Sequence, residues 1–242
     1  MLNLHLSYKY LKLLVALICL STIGCGQAQI PSKFIETQPP AKLSDEHSAL
    51  NNAQNEFGVS IVDGQLKVKN VKEIDVCHLN TINGILTGID RGEWGGKLLF
   101  EPSNKKLKTI EIKDGNIKGI FNFQGKIYFI EGLAHMSFSF GALYELDRNG
   151  DKFSYKKLID FEDAPEAFTT YRDEMLVATH SNFYIVRNFQ KELIFKDAFW
   201  YSLYPNSIAA LNDQNIFMGI RGGIVKIDLT DKTFKFYKYQ GN

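Results

Sequence analysis

Residues able to do chemistry gather in a few polar turns between apolar runs. The first turn is Asp90-Arg91-Gly92-Glu93-Trp94-Gly95-Gly96. The others are Glu131-Gly132-Leu133-Ala134-His135, His180-Ser181-Asn182 and Arg221-Gly222-Gly223. Glu166 and Asn206 stand at the heads of two further runs. Trp and Arg are the side chains that most often anchor an interface. Glu93 and Glu166 are carboxylates available as an acid and base pair, as in glycoside hydrolysis. Glu131, His135 and His180 are metal-ligand types, but their spacing fits no metal motif, so no metal is expected. There is no Gly-x-Ser-x-Gly elbow and no phosphate-cradling glycine loop. The chain is therefore read as a binder before an enzyme, with no cofactor. Each residue also has a plainer use. The glycines suit tight turns with positive φ, Arg91 and Glu93 suit solvated turns, and Trp94 would cap the end of its own sheet.

The elements that must position these residues are strands. From Phe57 onward, Val, Ile, Phe and Tyr cluster in runs of five to eight, separated by Gly, Asn or Asp. Asp63-Gly64 joins Val59–Val62 to Gln65–Val68 as a hairpin. The last third repeats itself: Pro165-Glu166-Ala167-Phe168 answers Pro205-Asn206-Ser207-Ile208, roughly 40 residues on. Earlier copies run from Ile74–Ile82 to Leu107–Ile112 and from Ile117–Phe123 to Phe153–Phe161. Second strands such as Met175–Ala178 and Ile216–Met218 are apolar throughout, as when both faces are buried. Fourth strands such as Ser154–Leu158 and Lys235–Tyr239 mix charge with apolar residues, as when one face meets water.

This gradient and repeat resemble those of exported bacterial β-propellers, over residues 57–239 of a domain expected to run from 57 to 242. The resemblance implies an all-β fold of four to five four-stranded blades. The alternative, a twisted β-sandwich, explains the strands but not the repeat. In a propeller, the turn between strands two and three shares a rim with the links between blades. That would bring Arg91, Glu93, Trp94, His135, Glu166, His180, Asn206 and Arg221 onto one binding face. Cys77, in the apolar run Ile74–Ile82, is expected to be a small buried hydrophobe.

The N-terminus reads as an address. Lys9 and Lys12 precede the apolar run Leu13–Leu20, and Ser21-Thr22-Ile23-Gly24-Cys25 follows. A basic head, a short apolar stretch and small residues make a signal segment over 1–24. Thr22-Ile23-Gly24-Cys25 resembles the lipobox of bacterial lipoproteins. That resemblance implies a lipid on Cys25 and, with Gly26 following, an outer-membrane address in the cell envelope. Ordinary cleavage after Ala28 is the alternative. Residues 25–56, with Pro31, Pro39 and Pro40, are expected to form a flexible tether.

Loss of the signal segment removes two of 28 basic residues and none of 27 acidic ones. A nearly neutral chain has no electrostatic footprint for nucleic acid. Of the three cysteines, Cys19 leaves with the signal and Cys25 takes the lipid, so no disulfide framework is expected. The function expected is an envelope-anchored binding module for an envelope protein or a surface glycan. The alternatives are an exported saccharide hydrolase or lyase, and an envelope assembly factor.

Overall fold

The computed structural model of the protein describes residues 29–72, 75–136, 138–150 and 152–241. The expected signal segment and Cys25 lie outside the described residues.

The described part of the expected tether is instead built into the fold. Strand β1 (Phe34–Thr37) pairs antiparallel with the last strand of the chain, Phe34 against Tyr239 through Thr37 against Phe236. Phe34 is buried, its ring 4.9 Å from Phe57 and 5.4 Å from Tyr239. Helix α1 (Asp45–Asn51) starts at Ser44, whose Oγ accepts the His47 N–H at 3.2 Å. Asp45 and Glu46 in its first turn suit the positive end of the helix dipole. Its inner face buries His47 and Leu50, and His47 Nε2 lies 3.0 Å from the Phe199 carbonyl oxygen. So short a helix is marginal alone and persists through tertiary packing. A few large apolar side chains with distant partners outweigh the spacer-like composition around them.

Apart from one 3-10 turn at Gly92–Trp94, the other elements of the described residues are β-strands, in five small antiparallel sheets. Sheet I is the hairpin of β2 (Glu56–Val62) and β3 (Gln65–Val71). Asp63 and Gly64 both have positive φ, 51° and 72°, the turn that matches strand twist in a two-residue hairpin. Sheet II holds β4 (Val76–Thr81), β5 (Gly84–Ile89), β6 (Lys97–Pro102) and β7 (Ile110–Asp114). Sheet III holds β8 (Ile117–Phe123), β9 (Lys126–His135), β10 (Phe138–Asn149) and β11 (Lys152–Phe161). Sheet IV holds β12 (Pro165–Tyr171), β13 (Glu174–Thr179), β14 (Phe183–Arg187) and β15 (Gln190–Phe195). Sheet V holds β16 (Ser207–Asn212), β17 (Asn215–Ile220), β18 (Gly223–Asp228) and β19 (Thr233–Tyr239), with β1 added at its edge.

Burial follows the expected gradient. Every residue of β17 is buried, as is all of β13 after Glu174, while β15 and β11 are largely exposed. Four apolar clusters join sheets V and IV, IV and III, III and II, and I and V. First strands pack on one another: β2 on β16, β16 on β12, β12 on β8 and β8 on β4. Gly219 is required where β17 meets β2, because a Cβ there would collide with the Phe57 carbonyl oxygen.

One expectation about connections changes. Glu131–His135 is not a turn: β9 runs through His135 and pairs His135 with Phe138, so the hairpin projects beyond its sheet. The link before β16 carries part of the core. It buries Ala198, Phe199, Trp200 and Leu203 in the cluster between sheets IV and V. Leu203 and the Arg221 N–H are joined by a 2.7 Å backbone hydrogen bond.

Candidate functional site

The first strands and the turns at one end of the sheets enclose a cavity of about 1090 Å³. Residues of all five sheets, or of turns within them, line it, among them Ser60, Cys77, Lys118, Glu166, Ser207 and Arg221. Seven of the eight residues singled out from the sequence line it: Arg91, Glu93, Trp94, His135, Glu166, Asn206 and Arg221. His180, the eighth, stands behind Glu166.

The lip of the cavity is the 90–95 turn. Buried Asn116 pins it: its Oδ1 accepts the Arg91 N–H at 3.2 Å and its Nδ2 donates to the Gly92 carbonyl at 2.8 Å. Asp90 accepts the Gly92 N–H at 3.0 Å and pairs with Lys118 at 2.5 Å. The side chains beyond this anchor are free of the core. Trp94 is 83% exposed, so it does not cap its sheet. Arg91 is exposed, and Glu93 meets His135 Nε2 at 3.1 Å.

The opposite wall comes from sheets IV and V. Glu166 Oε1 lies 2.8 Å from His180 Nδ1, with the two side chains 9% and 13% exposed. Burial disfavours the charged imidazolium, but the Glu166 carboxylate outweighs it and raises the His180 pKa above its ordinary value. His180 Nε2 lies 3.4 Å from Ser202 Oγ, too long for a strong hydrogen bond. Ser202 is not among the residues that line the cavity, so His180 acts as a support for Glu166.

Beneath His180 lies a residue that sequence reading missed, the buried Asp163. It accepts from Thr179 Oγ1 at 2.7 Å, the Ser181 N–H at 2.6 Å, Ser181 Oγ at 2.9 Å and Asn182 Nδ2 at 3.1 Å. Ser139 Oγ also donates to it. Burial alone would raise its pKa, but these donors outweigh burial and hold it below the usual carboxylate range. Asp163 thus fixes the turn that carries His180. No local motif announces it, because its partners come from two stretches of chain, Ser139 and Thr179–Asn182, each at least 16 positions away.

Arg221 is a clamp and not a free anchor. Its guanidinium donates to Glu56 Oε1 at 2.8 Å and to the Asn51 carbonyl at 2.9 Å, and lies 4.2 Å above the Tyr204 ring. It ties α1 and β2 to sheet V. Tyr204 holds a left-handed backbone, φ 51°, which a tyrosine adopts only when its surroundings impose it. Asn206 donates its backbone N–H to the Gly219 carbonyl at 2.8 Å. Glu166 Oε2 and Asn206 Nδ2 are buried and have no hydrogen-bond partner among the described residues.

Cys77 is only partly buried and lines the cavity, so it is not the fully buried hydrophobe expected. Its setting still pushes the thiol pKa up, chiefly by desolvation. The neighbouring His78 pairs instead with Thr87 Oγ1 at 3.1 Å. Among the described residues, no group of three or more His, Cys, Asp or Glu is placed to hold a metal ion. Glu131 is taken by Lys113 and Tyr144, His135 by Glu93 and His180 by Glu166.

No protein-family model matches the chain, and no curated protein does. Among solved structures, it is similar to the crystal structure of the computationally designed Ika8 protein, at 9% identity and a TM-score of 0.40. The match covers 74% of this chain and 57% of that one.

Proposed function

We propose that the protein is a binding module of the bacterial cell envelope, anchored by a lipid on Cys25, whose sheets are the blades of a five-bladed propeller. The cavity is its ligand-binding face, for an envelope protein or a surface glycan. One observation carries the reading: turns and first strands from all five sheets converge on a single cavity lined by residues of interface-anchoring type. Several features support the propeller. The sheets follow sequence order, their first strands pack on one another, and β1 completes the outer edge of the last sheet.

The test is capture from native envelope by the purified protein and by Trp94→Ala. Capture that survives Trp94→Ala unchanged would count against this face. Labelling of cells with a fatty acid, comparing wild type with Cys25→Ser, tests the anchor. Equal label in both, or none in either, overturns it.

A further inference from the structure

We propose that β3 is a docking edge for an extended acidic peptide of a partner protein, which adds to sheet I as its third strand. The proposal needs neither a ligand in the cavity nor a closed ring of sheets.

Sheet I stops short. In sheets II to V the second strands β5, β9, β13 and β17 pair on both edges, whereas β3 pairs only with β2. The hairpin register tells which groups are left over. A two-residue turn with positive φ at both positions closes on a hydrogen-bonded pair, here Val62 with Gln65. Hydrogen-bonded pairs alternate with open ones along an antiparallel ladder. The open pairs are Ile61 with Leu66, Val59 with Val68 and Phe57 with Asn70. Leu66, Val68 and Asn70 therefore turn their N–H and C=O groups away from β2. The Val59 N–H agrees with this alternation, since it leaves the hairpin on the other side and donates to Ser207 Oγ at 2.7 Å. A row of unpaired main-chain groups is a template for another strand.

The side chains choose the occupant. Lys67 and Lys69 stand on one face of β3, both exposed. Lys67 Nζ donates to Gln65 Oε1 at 2.9 Å, and neither lysine has a carboxylate partner among the described residues. A second copy of the chain fits badly. Antiparallel pairing centred on Val68 would set Lys67 against Lys69 of the other copy, twice over, and like charges directly opposite repel. An incoming strand with acids at alternate positions places them opposite both lysines instead. Its other side chains fall on the face of Leu66, which is buried, and Val68, which is half-buried. That face packs on sheet V, so apolar residues suit those positions. The partner motif is thus an extended alternation of acidic and apolar residues.

The experiment is fluorescence anisotropy of a blocked, labelled octapeptide alternating glutamate with valine, titrated with the purified full chain. The peptide should bind, and the same peptide with lysine for glutamate should bind about tenfold more weakly or worse. Lys67→Glu with Lys69→Glu should reverse that preference. Lys152→Glu with Lys156→Glu, on the outer strand β11, should leave it unchanged. Amide exchange at Leu66, Val68 and Asn70 should slow by about tenfold or more on binding, because these N–H groups gain partners. Val68→Pro removes the central donor at a strand edge and should weaken binding by about tenfold. If it fails to fold, the charge reversal and the exchange readout decide. No binding of the acidic peptide, equal binding of the lysine peptide, or unchanged exchange at the three amides overturns the proposal. An equal loss from the β11 reversal also overturns it, since the attraction would then be general. So does a dimer of the unliganded chain that Val68→Pro dissolves, which would give the edge to a second copy. Envelope capture that depends on Trp94 is a separate readout, so the cavity reading stands or falls apart from this one.

Discussion

The two sides of the cavity use the same pair of side chains in different settings. On the wall, Glu166 and His180 are 2.8 Å apart at 9% and 13% exposure. On the lip, Glu93 and His135 are 3.1 Å apart at 48% and 37% exposure. The wall pair is shielded from water, and its carboxylate raises the histidine pKa despite burial. The lip pair is screened by solvent and salt, which leaves little net energy in an exposed ion pair. One chemistry therefore does two jobs. Behind the wall it fixes a group in place, while at the lip it leaves side chains free to adjust to an incoming partner.

The sharpest way to break this comparison is to remove the support under the wall. Asp163→Ala leaves several buried donors without an acceptor and should cost ~3–5 kcal/mol in denaturant unfolding. The pH profile gives the sign. The lowered Asp163 pKa contributes stability present above the unfolded carboxylate value of about 4, lost as pH falls through the folded value. Asp163→Asn should flatten that acid limb. The raised His180 pKa acts oppositely. Its contribution is full below about pH 6.5 and declines as pH rises through the folded value. Thermal melts of Glu166→Gln across neutral pH should lose that decline.

Next comes Arg221→Ala. It strands Glu56, whose side chain is only 17% exposed, and should cost ~3 kcal/mol. A melt unchanged from wild type would return Arg221 to the exposed anchors. Glu93→Ala at the lip should cost no more than about 1 kcal/mol, since both partners are more than a third exposed. Smallest of all, Trp94→Ala should move stability by about 0.5 kcal/mol or less, given its exposure. A large loss there would mean that Trp94 packs and does not wait for a ligand.

Much of the fold was legible locally. The Asp63-Gly64 turn and the contrast between β17 and β15 each depend on neighbours a few residues away. The same holds for the turns that place Arg91, Glu93, Trp94, Glu166 and Asn206 at one end of their sheets. The reading failed where local composition misled. Proline and asparagine around β1 and α1 spoke for a spacer, and nothing nearby revealed that Phe34 would pack on Tyr239. Likewise, the strand chemistry of Leu133 and Ala134 was hidden behind Gly132, so β9 was cut short.

Strand identity, turn placement and the polar residues at the turns were set by the sequence itself, because backbone preference and alternation act over a few residues. Which of those residues stayed available was decided by tertiary structure alone. Arg221 met Glu56, 165 positions away in the chain, and became a clamp. Glu166 was buried on His180 with one oxygen left over, while Glu93 stayed in water. Burial and pairing are sums over distant contacts, and those contacts exist only once the sheets have packed.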